Sequence, residues 1–329
     1  MSQPNHIADS SKTHWVNRAP LSLRPYLQLS RLDRPIGYWL LTLPGWIGLS
    51  FGSLSYGFDL TDLLWATLIL IGAIAMRGAG CTYNDIVDQD LDAKVERTAL
   101  RPLPAGTITT KQAWIWVFAQ CFVGLIVLFC LPRLAQIIAL CSIPLVAAYP
   151  FMKRITWWPQ VWLGLTFNWA VLVAYAAKTG EVSPPLLLLY AGLIFWTIGY
   201  DTIYACQDIE DDAMIGVKST ARRFGQRIKL GVGVNYGIMV LLIGYAINKS
   251  GFFPVDVENF GEPLFPLGIT FSGVIIILLP LAMHLAWQLF RLNPNNGKTC
   301  LALFKSNIFA ACMLVLMLPA FVLTLSLGI

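Results

Sequence analysis

Apolar runs of about twenty residues, separated by short polar joins, recur along this chain from residue 36 almost to its end. A helix needs about 20 such residues to cross the hydrocarbon core of a bilayer. The pattern predicts nine spans: 36–54, 62–83, 112–131, 134–150, 158–177, 185–207, 228–248, 264–290 and 302–327. Proline punctuates several joins, at Pro132, Pro159, Pro184-Pro185 and Pro263, where it interrupts helical pairing. The expected fold is therefore all-α and integral to the membrane, with one membrane domain over residues 35–329 and a polar tail over 1–34. Within the tail, residues 20–34 alternate Leu21, Leu23, Leu27 and Leu29 with Arg24, Arg31 and Arg34. They suit either an interfacial helix or a solvated lead-in. The first 18 residues have no apolar core of a cleavable signal and are not Arg-rich like a mitochondrial presequence, so a short bacterial tail is expected.

Composition agrees with this class. The chain is 57% hydrophobic and 12% charged, and its net charge of +5 forms no nucleic-acid-binding patch. Seven cysteines without CxxC spacing read as small buried hydrophobes, and three separated histidines give no zinc pattern. Basic residues set the orientation. With nine spans, nineteen lysines and arginines fall on the side of the N-terminus. Only Arg133, Lys178 and Lys249 fall on the other, and Arg77 lies within the second span. The positive-inside rule then makes the N-terminus cytoplasmic.

Charge is concentrated in two places. Of 18 acids, ten lie within residues 85–96 and 201–212. Each set closes an apolar span, and both fall on the cytoplasmic side, so they share a compartment. Carboxylates beside a bilayer core are costly and mark function. At 100° per residue, Asp85, Asp88 and Asp92 lie within about 60° of each other on a helix while Asp90 points away. Asp201, Tyr204, Asp208, Asp211 and Asp212 likewise share a face, with Glu210 opposite. These acids sit near helix C-termini, where the macrodipole opposes negative charge. A cation is expected to compensate, and Mg²⁺ held by a few carboxylates and phosphate oxygens is the economical choice.

Basic loops follow each cluster: Arg97 and Arg101 after the first, Lys218 and Arg222 after the second. Their side chains suit phosphate oxygens, although each is equally an ordinary positive-inside residue. Arg77, two turns before the first cluster in an apolar span, needs an acid or phosphate partner. Neither GxxxxGK[ST] nor a strand-borne GxGxxG is present, and the opening motif of membrane CDP-alcohol phosphotransferases is missing.

At these motifs the chain resembles the UbiA superfamily of membrane prenyltransferases, and within it the 4-hydroxybenzoate polyprenyltransferases of ubiquinone biosynthesis. Residues 77–92, with Arg77, Asn84, Asp85, Asp88 and Asp92, look like the family's first Asp-rich motif, continued by Arg97-Thr98 to Arg101-Pro102-Leu103. Residues 200–212 followed by Lys218-Ser219-Thr220-Ala221 look like the second. Tyr149-Pro150-Phe151-Met152-Lys153-Arg154 with Pro159-Gln160 is similar to a loop of the hydroxybenzoate subgroup. The resemblance implies nine helices around a central cavity, with a lateral opening to lipid. It implies Mg²⁺ on Asn84, Asp85, Asp88, Asp92, Asp208, Asp211 and Asp212, and diphosphate contacts from Arg77, Lys94, Arg97, Arg101, Lys218 and Arg222. Asp85, Asp88, Asp201, Tyr204 and Asp208 would take part in catalysis, Tyr204 by facing the allylic cation. Arg154, or Lys153, would hold the carboxylate of 4-hydroxybenzoate. The two clusters would thus act as halves of one Mg²⁺–diphosphate clamp.

The implied partners are polyprenyl diphosphate, 4-hydroxybenzoate and the lipid bilayer, together with other enzymes of the ubiquinone pathway. The implied location is a bacterial inner membrane, ahead of a mitochondrial one. Within the family, haem, naphthoate and chlorophyll prenylation are the near alternatives. A cation-coupled secondary transporter is the rival from another class, but its acids would lie mid-membrane near broken helices.

Overall fold

The computed structural model describes residues 14–93, 96–214, 216–250 and 266–326. At 96, 97, 211, 266–272 and 321–326 only the backbone is described. Among these residues there are helices and no strand. In chain order they are α1 Arg24–Leu29, α2 Ile36–Tyr56, α3 Thr61–Val87, α4 Gln89–Asp92, α5 Glu96–Ala99 and α6 Thr110–Cys130. Then come α7 Arg133–Cys141, α8 Ile143–Ile155, α9 Pro159–Phe167, α10 Trp169–Thr179, α11 Pro184–Ala205 and α12 Ile209–Met214. The chain continues with α13 Thr220–Phe224, α14 Ile228–Lys249, α15 Pro266–Arg291, α16 Gly297–Lys305 and α17 Asn307–Ser326.

Among the described residues eight stretches of helix are long and apolar enough to cross a membrane, so the chain is a multi-pass membrane protein. The expected count of nine differs at α2, which has 21 residues. Its four glycines and three serines dilute the apolar content of a segment that is otherwise long enough. Three expected single spans are broken by one residue each: at Ser142 between α7 and α8, at Asn168 between α9 and α10, and at Ser306 between α16 and α17.

By its packing the chain divides into two compact units. One comprises residues 1–42 and 68–130, the other residues 43–67 and 131–329. In the first, α1 packs on the rest of the unit through its last turn. Leu29 is fully buried in a cluster with Leu103, Ile108 and Ala113, against Tyr26, Ile86 and Trp116. Ser30 Oγ donates to Gln120 Oε1 at 3.0 Å and accepts from Trp116 Nε1 at 2.8 Å. Gly78 makes room for this junction, since a Cβ there would lie 1.8 Å from Gln120 Oε1. The outer face of α6, with Ile115, Phe118, Phe122 and Phe129, is exposed apolar surface suited to lipid tails.

In the second unit α11 packs chiefly along α14 and also against α9 and α16. Gly199 permits the close approach: a Cβ there would lie 2.3 Å from the Tyr236 ring, and small residues let apolar helices pack backbone to backbone. Several polar groups inside this unit find partners, as groups shielded from water need to, while Asn168 Oδ1 has no hydrogen-bond partner among the described residues. Asn168 Nδ2 donates to the carbonyls of Gly164 and Leu193 and to Thr197 Oγ1. Trp196 Nε1 donates to Asn307 Oδ1, Tyr236 Oη to Gln288 Oε1, and Gln288 Nε2 to Ser306 Oγ.

Candidate functional site

The first acidic motif straddles a helix end. Asn84 and Asp85 close α3, Asp88 caps α4, and Asp92 ends α4. The chain turns almost continuously there, with Asp88 N–H bonded to the Asn84 carbonyl and Asp92 N–H to that of Asp88. Helical phase is therefore nearly kept. Asp85 and Asp88 are fully buried and Asp92 almost so, whereas Asp90 is exposed.

Arginines meet this buried charge. Arg31 Nη2 donates to Asp85 Oδ1 at 2.6 Å. Arg101 Nη1 donates to Asp92 Oδ2 at 2.7 Å and to Asp85 Oδ1 at 3.4 Å. Burial alone would lower the pKa of Arg31, but the charges of Asp85 and Asp33 outweigh it and raise the value, so this guanidinium stays protonated. Thr98 Oγ1 donates to the Asp92 carbonyl at 2.8 Å and ties the following loop to the motif. Arg77 lies in α3 with its guanidinium against Gly37, where a Cβ would come within 2.7 Å of Nε. Lys94 and the side chain of Arg97 lie outside the described residues.

The second motif departs from the single helical face expected of it. The main helix α11 ends at Ala205, Cys206 to Asp208 form a turn, and Asp211 and Asp212 belong to the separate helix α12. Asp201, Tyr204, Asp208 and Asp212 are half-buried, Glu210 is exposed, and the Asp211 side chain lies outside the description. The Tyr204 ring packs on Phe304, with centroids 4.6 Å apart.

The basic loop after this motif docks on the Tyr149–Gln160 segment. Lys218 N–H bonds the Lys153 carbonyl at 3.0 Å, and Lys218 Nζ donates to the Ile155 carbonyl at 3.1 Å. Thr220 N–H donates to Gln160 Oε1, and the Thr220 hydroxyl shares a 2.6 Å bond with that of Thr202 on α11. Arg222 donates to the carbonyls of Asp212 and Val217 and lies over the Trp157 ring. Lys153 is half-buried and Arg154 exposed. The second motif, its basic loop and the Tyr149–Gln160 stretch therefore converge within one unit.

Among the described residues no group of three or more His, Cys, Asp or Glu side chains is arranged to hold a metal. One orphaned atom nevertheless fits a hard cation. Asp85 Oδ2 is buried with no hydrogen-bond partner among the described residues, and a bare carboxylate oxygen is a ligand suited to Mg²⁺. One or two protein carboxylates per Mg²⁺ are enough, because water and phosphate fill the rest of the shell. Carboxylate and amide oxygens make the donor set of the first motif suitable for this ion.

The family model described as the UbiA prenyltransferase family matches residues 41–315. The chain belongs to that family. It is 42% identical over 294 residues to 4-hydroxybenzoate polyprenyltransferase, mitochondrial, of Bos taurus, covering 89% of this chain and 74% of that protein. With 4-hydroxybenzoate geranyltransferase 1 of Lithospermum erythrorhizon it shares 38% identity over 315 residues, 93% of each protein. Among solved structures, a UbiA homolog from Archaeoglobus fulgidus bound to DMAPP and Mg²⁺ is similar with a TM-score of 0.62 at 19% identity, covering 91% of this chain and 99% of that one. A UbiA homolog from Aeropyrum pernix gives 0.59 at 22%, covering 88% and 98%. At these identities the solved structures show the fold this UbiA member shares.

Arg31 is the site residue that sequence reasoning did not single out. Its place in a tail rich in leucine and arginine looks like membrane-surface chemistry, and its partner is 54 residues away. No local signal connects the two.

Proposed function

We propose that this UbiA family member transfers a polyprenyl group from polyprenyl diphosphate to the ring carbon ortho to the hydroxyl of 4-hydroxybenzoate, releasing diphosphate, in ubiquinone biosynthesis. The observation that carries this reading is identity near 40% over about nine-tenths of the chain to proteins named for that acceptor.

Asn84, Asp85, Asp88 and Asp92 of the first motif, and Asp208, Asp211 and Asp212 of the second, would hold Mg²⁺. When bound, the ion supplies charge stabilisation for the departing diphosphate. Arg77, Lys94, Arg97, Arg101, Lys218 and Arg222 add positive charge toward the same anion, where shielding from water strengthens each interaction. Tyr204, its ring set against Phe304, offers a π face to the allylic cation. Asp201 is a polar neighbour on the same helix. Arg154 takes the acceptor's carboxylate, with Lys153 the alternative. Its exposure and the anchoring of its segment through Lys218 support that role.

We place the N-terminus and the acid motifs on the cytoplasmic side of a bacterial inner membrane, from the excess of basic residues in the joins on that side. Several relatives are mitochondrial by name. Expression of a tagged chain with membrane fractionation separates the two compartments. Contact with other ubiquinone-pathway enzymes belongs to the same reading, and crosslinking in native membranes tests it.

The experiment that tests the function incubates membranes carrying the chain with 4-hydroxybenzoate, a polyprenyl diphosphate and Mg²⁺. Prenylated 4-hydroxybenzoate is expected only with the metal. Asp88→Asn or Asp208→Asn should lower its rate about 100-fold or more, the scale of removing one charge-stabilising group. Product from neither 4-hydroxybenzoate nor any other aromatic acceptor would sink the proposal, while full rates in both variants would sink the residue assignment.

A further inference from the structure

Arg31 stands where the backbone favours a different residue. Helix α1 closes in a Schellman-type turn: Leu32 N–H donates to the Leu27 carbonyl at 3.1 Å, and Arg31 N–H to that of Gln28 at 3.0 Å. Arg31 itself has φ +55° and is the one non-glycine residue with positive φ among the described residues. Glycine usually fills that position, because in the left-handed conformation a Cβ crowds the neighbouring carbonyl. Such strain persists where surrounding contacts over-determine it, and it concentrates at functional positions.

The side chain supplies those contacts. Nη1 reaches back to the Gln28 carbonyl at 3.1 Å, and Nη2 reaches across to Asp85 Oδ1 at 2.6 Å. The turn cannot drift, because Leu29 is buried on one side of it and Ser30 is bonded to Gln120 and Trp116. Asp85 is thus gripped through one oxygen, while Oδ2 is buried without a hydrogen-bond partner among the described residues. Arg101 also approaches Oδ1, at 3.4 Å, but its shorter bond goes to Asp92.

We propose that Arg31 is a positioning residue for cation–diphosphate binding: acting through Asp85, it fixes the carboxylate so that Oδ2 is presented to the divalent ion that accompanies the diphosphate. This rests on the prenyltransferase reading above. The planar guanidinium spans the Gln28 carbonyl and Asp85 at once, and a lysine ammonium cannot reproduce that fork.

The test measures Mn²⁺ binding to the detergent-purified full-length chain in the presence of inorganic pyrophosphate, by electron paramagnetic resonance of the free ion. KM is measured for each substrate alongside it. Arg31→Gly suits the turn, so a role confined to closing α1 predicts undisturbed binding. The proposal predicts instead that Mn²⁺ affinity falls about 10-fold or more, the usual effect of losing a partner that orients a metal ligand. KM for the polyprenyl diphosphate should rise while that for 4-hydroxybenzoate holds. Arg31→Lys, which keeps the charge, should give a smaller loss in the same direction, and it carries the test if the glycine variant does not fold. Wild-type Mn²⁺ affinity in the folded variants would overturn the proposal alone. A wild-type chain that binds no Mn²⁺ with pyrophosphate would overturn the metal-dependent reading and this proposal together.

Discussion

Replacing Lys178 with methionine removes one half of an ion pair remote in sequence from either acidic motif. Lys178 Nζ lies 2.7 and 2.6 Å from the two carboxylate oxygens of Asp62, with the side chains 6% and 3% exposed. Breaking a buried pair by deleting one partner costs about 3–5 kcal/mol, because the other charge is stranded away from water. Two features put this case near the lower end. Asp62 keeps a bond from the Asp59 N–H at 3.0 Å, and it sits in the first turn of α3, where the macrodipole favours an anion. Methionine retains an apolar stem against Gly52, so lost packing adds little. We expect about 3 kcal/mol of destabilisation, read as a lower melting temperature of the detergent-solubilised chain by tryptophan fluorescence. Prenyl-transfer rates well below the melt should be unchanged. Asp62→Asn combined with Lys178→Met removes both charges and should recover most of the loss, since a neutral pair strands nothing. If the single variant melts with the wild type, the pair is not buried as described; if the double variant melts lower still, stranded charge is not the cause.

Other outcomes can be checked with the same preparations. Gly199→Ala drives a methyl into the Tyr236 ring, 2.3 Å from its nearest carbon, and should cost about 1–3 kcal/mol as overpacking between α11 and α14, again seen in the melt. Thr220→Val deletes the hydroxyl bond to Thr202 and should cost about 1–2 kcal/mol, loosening the basic loop enough to speed limited proteolysis near Lys218. Arg154→Ala should raise KM for 4-hydroxybenzoate more than KM for the polyprenyl diphosphate; the reverse pattern in steady-state kinetics would remove Arg154 from its assigned role.

Hydrophobic periodicity located the helices well because in a bilayer nearly every helical position must be apolar. For the same reason it missed the breaks. Apolar composition continues straight through Asn168, and the groups that meet its side chain at the break, the Leu193 carbonyl and Thr197, come from another helix. Charge phase separated Asp90 from Asp85, Asp88 and Asp92 because the turn at Asp88 keeps nearly helical geometry. Over residues 201–212 it set Glu210, which is exposed, apart from the half-buried Asp201, Tyr204, Asp208 and Asp212, but missed the turn where α11 stops at Ala205. Arg31 was illegible because nothing local distinguishes it from the arginines around it, and its meaning lies in Asp85.

Acids at helix C-termini demand a cation, but sequence alone leaves open which cation answers. In the fold, arginine answers part of the demand. Asp85 and Asp92 are paired with Arg31 and Arg101, so their negative charge is not in itself a requirement for metal. The cations assigned to the diphosphate are also partly committed, Lys218 to the Ile155 carbonyl and Arg222 to those of Asp212 and Val217. Under the proposed function Arg101 turns toward the diphosphate, and Asp92 then meets another positive partner. A divalent ion arriving with the diphosphate provides one. Each charge-assisted bond given up is replaced by another of similar strength, so the exchange need not be costly. It is less favourable when either component comes alone, since Mg²⁺ without diphosphate displaces Arg101 from Asp92 and diphosphate without Mg²⁺ draws Arg101 away from it. On that proposal Arg101 couples the two ligands. Pyrophosphate should tighten Mn²⁺ binding in the wild-type chain, and Arg101→Met should abolish that tightening while leaving a weaker metal affinity in place.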